Sequence, residues 1–460
     1  MDTRPNIIFY FSDQQRWDTC GCYGQALNVT PNLDALAADG VLFEQAFTCQ
    51  PVCGPARACL QSGQYATANG CFTNGIAFDF KQKGLADYFN EAGYQTAYVG
   101  KWHLASDRAK KISYEEAGIP TECRAGYQTY WMASDLLEST SHGYNGFVFD
   151  SENRKVEFTG YRADCINNYA IDFLHQYDGS APFFLFVSQL EPHHQNDHDC
   201  YEAPDGYAQK FADYTPPKDL PKGKGNWEKE YPAYLGCCHS LDENLGRLIA
   251  TLKEQELYEN TIIIYTADHG SHFKTRNREY KRSCHEASIH LPMIFHGPGF
   301  AGGKRISDIV SLIDMPATLL DCAGIPVPEC YHGHSIKPLL CETPTDWQQE
   351  AFLQISESQV ARAIRTDRYK YCVRADADAW QDAGADTYYE FEFYDLSLDP
   401  IEQDNKINDP AYAAVRANLA ERLKERMVQA GETRPTILHA DLQPAALKVD
   451  SYYYKPATTL

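Results

Sequence analysis

The chain reads as an α/β protein built on a mostly parallel central sheet, followed by a small C-terminal α+β subdomain with an antiparallel sheet. Three observations predict this. Strand-length runs such as Asn6-Ile-Ile-Phe-Tyr-Phe11, Phe183-Phe-Leu-Phe-Val187 and Thr261-Ile-Ile-Ile-Tyr265 are continuously apolar, as strands covered on both faces are. Stretches of helical spacing lie between them, among them Leu241, Leu245, Leu248 and Leu252, which places one apolar stripe on the sheet. From about Ala351 the strands become shorter and more polar, the pattern of a separate antiparallel layer. The division falls into a large domain of residues 1–350 and a subdomain of residues 351–460.

In chain order, Asn6–Phe11 is a central strand that ends in Ser12-Asp13-Gln14-Gln15. Thr30 caps a helix with Pro31 at its first position and Gly40 at its end; Leu33, Leu36 and Ala37 form its inner face. A second helical stretch covers 83–92, and the strand Gln95–Val99 runs into Gly100-Lys101-Trp102-His103. Residues 106–165, with scattered Gly and Tyr, read as an irregular insertion near the pocket mouth. A helix over 163–176 leads to Phe183–Val187, which releases Glu191-Pro192-His193-His194. Residues 200–230 read as a long loop. Thr261–Tyr265 delivers Asp268-His269, and a strand at 293–295 and a helix near 315–323 complete the domain. Beyond it come strands at 361–365 and 369–373 and a helix near 412–430.

The 460 residues suffice for a large core, and 41 basic against 63 acidic residues give a net charge of −22. That balance argues against nucleic acid or an anionic membrane as partner. No apolar run reaches spanning length, and no leader pattern precedes the first strand. The sixteen cysteines lack the spacing of a disulfide framework or a zinc site, so they read as reduced thiols and the chain as cytoplasmic.

Four strand ends carry polar clusters: Asp13-Gln14, Lys101 with His103, His193, and Asp268-His269. In an open α/β sheet such ends meet at one crevice. A lone strand-end Asp usually caps a turn; four clusters in register make a site. Asp13, Gln14, Asp268 and His269 offer mostly hard oxygen donors, which suit calcium, magnesium or manganese. Cys53-Gly54-Pro55-Ala56-Arg57 places a cysteine at a helix start, since Pro55 suits the first turn. Arg57, one turn on, lies on the same face and can reach back toward Cys53.

Cys53, Pro55, Ala56, Arg57, Leu60, Ser62 and Gly63 resemble the signature of the sulfatase family, with Ala56 where many members carry Ser. Gly100-Lys-Trp-His-Leu104, Pro192-His193, and Lys281 ahead of Glu286 resemble its further motifs, and the likeness extends into residues 361–400. The resemblance implies an alkaline-phosphatase-like α/β/α sandwich and a type I sulfatase acting on an aryl sulfate or sulfated sugar. It implies conversion of Cys53 to Cα-formylglycine by a maturing enzyme, and a divalent ion, usually calcium, held by Asp13, Gln14, residue 53, Asp268 and His269. Gln14 stands where the family has an acid. Arg57, His103 and His193 are then catalytic, with His193 the general acid for the leaving oxygen. Lys101, Lys281 and Asn74 bind the sulfate.

Two rivals remain at this stage: a phosphonate monoester or phosphodiester hydrolase of the same superfamily, which Gln14 and Asn74 suit, and a non-catalytic, metal-dependent binder of sulfated glycans. His194, His198, His285 and His290 read as loop histidines and supporting donors rather than a second metal site, with His285 and His290 near the pocket.

Overall fold

The computed structural model describes residues 4–341 and 346–444. Residues 1–3, 342–345 and 445–460, which include the start of the chain and the end of the predicted subdomain, lie outside the described residues.

The strand Asn6–Ser12 is buried along its whole length. It runs parallel to Phe183–Ser188 on one side and Thr261–Ala267 on the other. Gln95–Lys101 and then Tyr130–Ser134 continue the parallel set. Side chains of the first strand alternate between two cores. Ile7, Phe9 and Phe11 join one apolar cluster with the helices Cys53–Ser62 and Asp314–Cys322. Ile8 and Tyr10 join another with the helices Pro31–Asp39, Arg162–Gln176 and Trp227–Glu254. Helices therefore cover both faces, and the molecule is an α/β/α sandwich with the predicted central strand at its middle.

Several expectations need correction. Residues 106–165 are not an irregular insertion: Tyr130–Ser134, Asn145–Phe149 and Lys155–Thr159 are strands that widen the main sheet. Glycines and aromatic residues masked their alternation. The strands Val41–Phe47 and Lys304–Ser311 pair in parallel at the opposite edge, and sequence reading left both unassigned. The Thr30 hydroxyl does not cap its helix; it accepts the Gly21 amide and donates to Asp34.

The second sheet holds Glu350–Ile355, Ala361–Thr366, Tyr369–Arg374 and Thr387–Asp395 in antiparallel succession, with Thr436–Leu438 parallel at its edge. A buried ionic group joins it to the main body. Glu286 lies 3.1 Å from Arg365 and 2.8 Å from Lys370, and Lys370 also pairs with Glu402.

Candidate active site

Gly100 lets two strands approach closely beneath the site. Its φ is +100°, and an added Cβ would lie 1.9 Å from the Ser188 carbonyl oxygen. Lys101 and the Ser188 strand end are thereby held side by side, and Ser188 Oγ donates to the Lys101 carbonyl at 2.7 Å. The ends of the parallel strands then bring Asp13, Asp268 and Lys101 to one buried centre, each fully shielded from solvent.

Cys53 is the first residue of the helix Cys53–Ser62, all ten residues of which are buried. Its Sγ lies 3.4 Å from Asp13 Oδ1, 3.2 Å from His269 Nε2 and 2.7 Å from Lys281 Nζ. Asn74 Oδ1 accepts the Gly54 amide at 3.0 Å, and a Cβ on Gly54 would intrude to 2.8 Å from that oxygen. The small residue after Cys53 is what admits Asn74.

Arg57 does not reach back to Cys53 as expected. Its guanidinium donates to Asp13 Oδ2 at 3.0 Å, Ser188 Oγ at 2.6 Å and the Lys101 carbonyl at 3.0 Å. The carboxylate is a full charge, whereas burial, followed by Asp13, pushes the Cys53 thiol up to about 12 and leaves it neutral. Lys101 Nζ also sits on Asp13 Oδ2, at 3.0 Å, and on Glu138 at 3.0 Å. Burial opposes ionisation of Asp13, but Lys101, His193, Arg57 and Lys281 together hold its carboxyl well below the usual range.

These bonds leave a donor set that fits a hard divalent cation. Asp13 Oδ2 is taken by cations, while Oδ1 faces Cys53 and His269. Asp268 Oδ1 accepts the Gln14 and His269 amides, and its Oδ2 is buried with no hydrogen-bond partner. His269 Nδ1 lies 3.0 Å from the Gly270 carbonyl; a proton there turns the Nε2 lone pair toward the centre. Asp13, Cys53, Asp268 and His269 each offer one ligand atom, all within 4.8 Å of one another. Burial and the nearby Asp13 charge push Asp268 up to about 7, a conflict that a cation between the carboxylates would relieve. Gln14 is buried beside them in left-handed backbone, φ 69°, with its amide nitrogen 2.8 Å from Tyr201 Oη.

His193 Nε2 lies 3.4 Å from Lys281 Nζ, and His103, also in left-handed backbone at φ 61°, has a buried Nδ1 without a partner. Burial and then Lys101 push both imidazoles well below their usual value. The structure thus gathers every sequence-predicted residue around one centre. It does not gather the four other histidines. His194 packs on Tyr280, His198 stacks on His142, His285 meets Tyr394, and His290 stacks on Trp17. Glu138 and Glu357 were missed; both come from segments with no motif, and Glu357 accepts the Asn74 amide at 2.6 Å.

A buried cysteine at a helix start, ringed by cations and a hard-donor set at the strand ends of an α/β/α sandwich, fits an ester hydrolase of the alkaline-phosphatase-like class. The sulfatase family profile matches residues 5–325 and an N-sulphoglucosamine sulphohydrolase C-terminal profile matches residues 278–429. The chain belongs to the sulfatase family, and it is an enzyme of the sulfuric ester hydrolase class. It is 32% identical to the uncharacterized sulfatase YidJ of Escherichia coli, over 92% of this chain and 87% of that protein. It is 28% identical to an N-acetylglucosamine-6-O-sulfatase of Bacteroides thetaiotaomicron, over 94% of this chain and 88% of that protein. A solved structure holding its substrate D-glucosamine-2-N,6-O-disulfate superposes with a TM-score of 0.74 at 26% identity, covering 93% of this chain and 98% of that one. All sixteen cysteines are unpaired, and no helix among the described residues is long and apolar enough to cross a membrane.

Proposed function

We propose that this sulfatase hydrolyses sulfate monoesters of sugars or aryl alcohols, with residue 53 as nucleophile after conversion to Cα-formylglycine. The observation that carries the reading is the meeting of Cys53 with Asp13, Asp268, His269 and Lys281 within one buried centre. The relatives that act on sulfated sugars support the sugar class over a simple aryl ester.

Asp13, Asp268 and His269 would hold the divalent ion beside residue 53, with Gln14 at its margin. The hard-oxygen set favours calcium, with magnesium or manganese as substitutes. Such an ion would polarise a sulfate oxygen. Once formed, the hydrated aldehyde of formylglycine would supply one hydroxyl to attack sulfur and displace the alcohol, and a second whose deprotonation would break the carbon–oxygen bond to sulfate and restore the aldehyde. The chain's own residues do the rest. Lys281 and Lys101 present ammonium groups to the sulfate oxygens, where charge must be offset in the transition state. Arg57 fixes Asp13 and leaves one carboxylate oxygen facing the centre. Asn74 holds the Gly54 amide and so the start of the helix. His193 protonates the departing oxygen, and His103 takes the proton at sulfate release.

This reading requires a maturing enzyme as partner for Cys53. The sixteen unpaired thiols support a reducing, cytoplasmic setting. The sheet that begins at Glu350 supports the division into a catalytic domain of residues 1–350 and a subdomain of residues 351–460.

The test is twofold. Mass spectrometry of the peptide containing Cys53, from protein made in a host that matures sulfatases, should find the aldehyde; an unmodified thiol throughout favours a glycan binder. Side-by-side kinetics should favour 4-nitrophenyl sulfate over a phenyl phosphonate ester, and a large preference for the phosphonate overturns the sulfatase reading.

A further inference from the structure

Three segments distant in sequence meet at the rim of the centre that holds Cys53. Asn74 donates its amide to Glu357, which pairs with Arg282 at 2.5 Å, the neighbour of Lys281. The Glu357 amide donates to the Ala379 carbonyl at 3.0 Å, so the segment between the strands Tyr369–Arg374 and Thr387–Asp395 lies on the same rim. Trp380 ends that contact. Two guanidinium carbons lie over its ring, Arg108 at 5.3 Å and Arg282 at 5.7 Å from the centroid. Arg108 is itself tied to the Asn74 loop, because its amide donates to the Gly75 carbonyl at 2.8 Å.

An exposed arginine stacked on an aromatic ring is common on protein surfaces. Three features set this pair apart. Arg108 has no carboxylate partner among the described residues, although the chain carries an excess of 22 negative charges. The Trp380 indole nitrogen and Arg282 Nε are buried without a hydrogen-bond partner, and such donors ordinarily find an acceptor. Arg282 and Glu357 both hold left-handed backbone, φ 69° and 65°, a conformation that costs non-glycine residues energy and that the surrounding contacts must hold in place. Cations and unfilled donors therefore gather beside Lys281 and the Asn74 loop, the two segments that contact Cys53 and Gly54.

We propose that Arg108, Arg282 and Trp380 form a second anion subsite on the rim. It reads a further anionic substituent, carboxylate or sulfate, on the sugar whose sulfate is cleaved. Arg282 is partly neutralised by Glu357 and Glu279, so Arg108 supplies the net positive charge, and the indole fixes where both guanidinium planes stand. The inference rests on the sulfatase reading and narrows its substrate class to polyanionic saccharides.

Calorimetric binding to the whole chain tests it without turnover, and so separately from the sulfatase reading, which stands or falls on sulfate release. The probes are N-acetyl-D-glucosamine 6-sulfate, D-glucosamine 2-N,6-O-disulfate and a glucuronate 2-sulfate. Wild type should bind at least one doubly charged probe about tenfold more tightly than the singly charged one, the scale of one charge-assisted hydrogen bond. The probe preferred tells a carboxylate from a second sulfate. Arg108→Gln, an exposed change, and Trp380→Ala should each reduce that preference to about twofold or less. Equal binding of all probes by wild type, absence of binding to any, or a preference that survives Arg108→Gln overturns the subsite. Should Trp380→Ala melt early, Arg108→Gln alone decides.

Discussion

Lys281 Nζ stands 2.7 Å from Cys53 Sγ, closer than either Asp13 or His269. It lies 3.4 Å from His193 Nε2. One ammonium thus bridges Cys53 and the His193 imidazole, which is where the proposed mechanism places the sulfate. Lys281→Ala should lower kcat/KM for 4-nitrophenyl sulfate by about 100-fold or more, the scale of losing one preorganised electrostatic donor. Unchanged kcat/KM in steady-state assays removes Lys281 from the sulfate site.

Asp268 Oδ2 is buried without a hydrogen-bond partner, and the nearest cation, Arg57, stands 3.8 Å away, which makes it the group most exposed to loss of a bound metal ion. Chelator treatment should abolish turnover and lower Tm by about 3 °C, the shift that an ion at a hundred times its Kd gives a chain of this size. Added calcium should restore both. Asp268→Asn should show the lower Tm with or without chelator, followed by differential scanning fluorimetry. An unaltered melting curve in all these states contradicts the metal assignment.

How much of this was legible in the sequence follows from what each residue depends on. Asp13, Lys101, His193 and Asp268 could be grouped because each lies at or just beyond the end of a strand readable in the sequence, and parallel strands bring their carboxyl ends together. Cys53 and Lys281 stood in recognisable motifs. The direction of Arg57 could not be read, because it depends on which negative charge lies nearest after folding; that charge is Asp13. Glu138, Glu357, Arg108 and Trp380 lie in segments without periodicity, so their place on the rim exists only as tertiary contact. Tyr130–Ser134 was hidden for a related reason. Its register beside Gln95–Lys101 is set by packing on both faces rather than by a local pattern.

The ionic group between the two sheets carries a stability prediction. Burial alone would raise the Glu286 carboxyl, but Arg365 and Lys370 hold it well below its ordinary 4.5. A carboxylate held low in the folded state contributes stability above its unfolded pKa and loses it as pH falls through the folded one. Glu402, pushed up by burial and also by the Glu286 charge, acts in the opposite sense, and more weakly in the variant, where that charge is gone. Glu286→Gln should cost about 3 kcal/mol near neutrality, since it leaves buried cations short of a partner. The gap to wild type should narrow as pH falls below about 4.5. Urea unfolding at neutral pH and in acid measures it, and a gap undiminished in acid would assign the loss to packing instead of charge.

His193 faces a demand that depends on the leaving group. Burial and the lysines push its imidazole down in the free site, whereas a sulfate ester bound between it and Lys281 brings negative charge and favours its protonated form. Proton donation matters most when the departing oxygen is strongly basic, as in a sugar alcohol, and little for nitrophenolate. His193→Ala should therefore reduce kcat/KM on a sugar sulfate by about 100-fold while the loss on 4-nitrophenyl sulfate stays near tenfold. Lys281→Ala, by contrast, should depress both alike, because it meets sulfate oxygens that the two esters share. Equal losses for His193→Ala on both esters, measured by sulfate release, would make His193 a sulfate ligand rather than the acid.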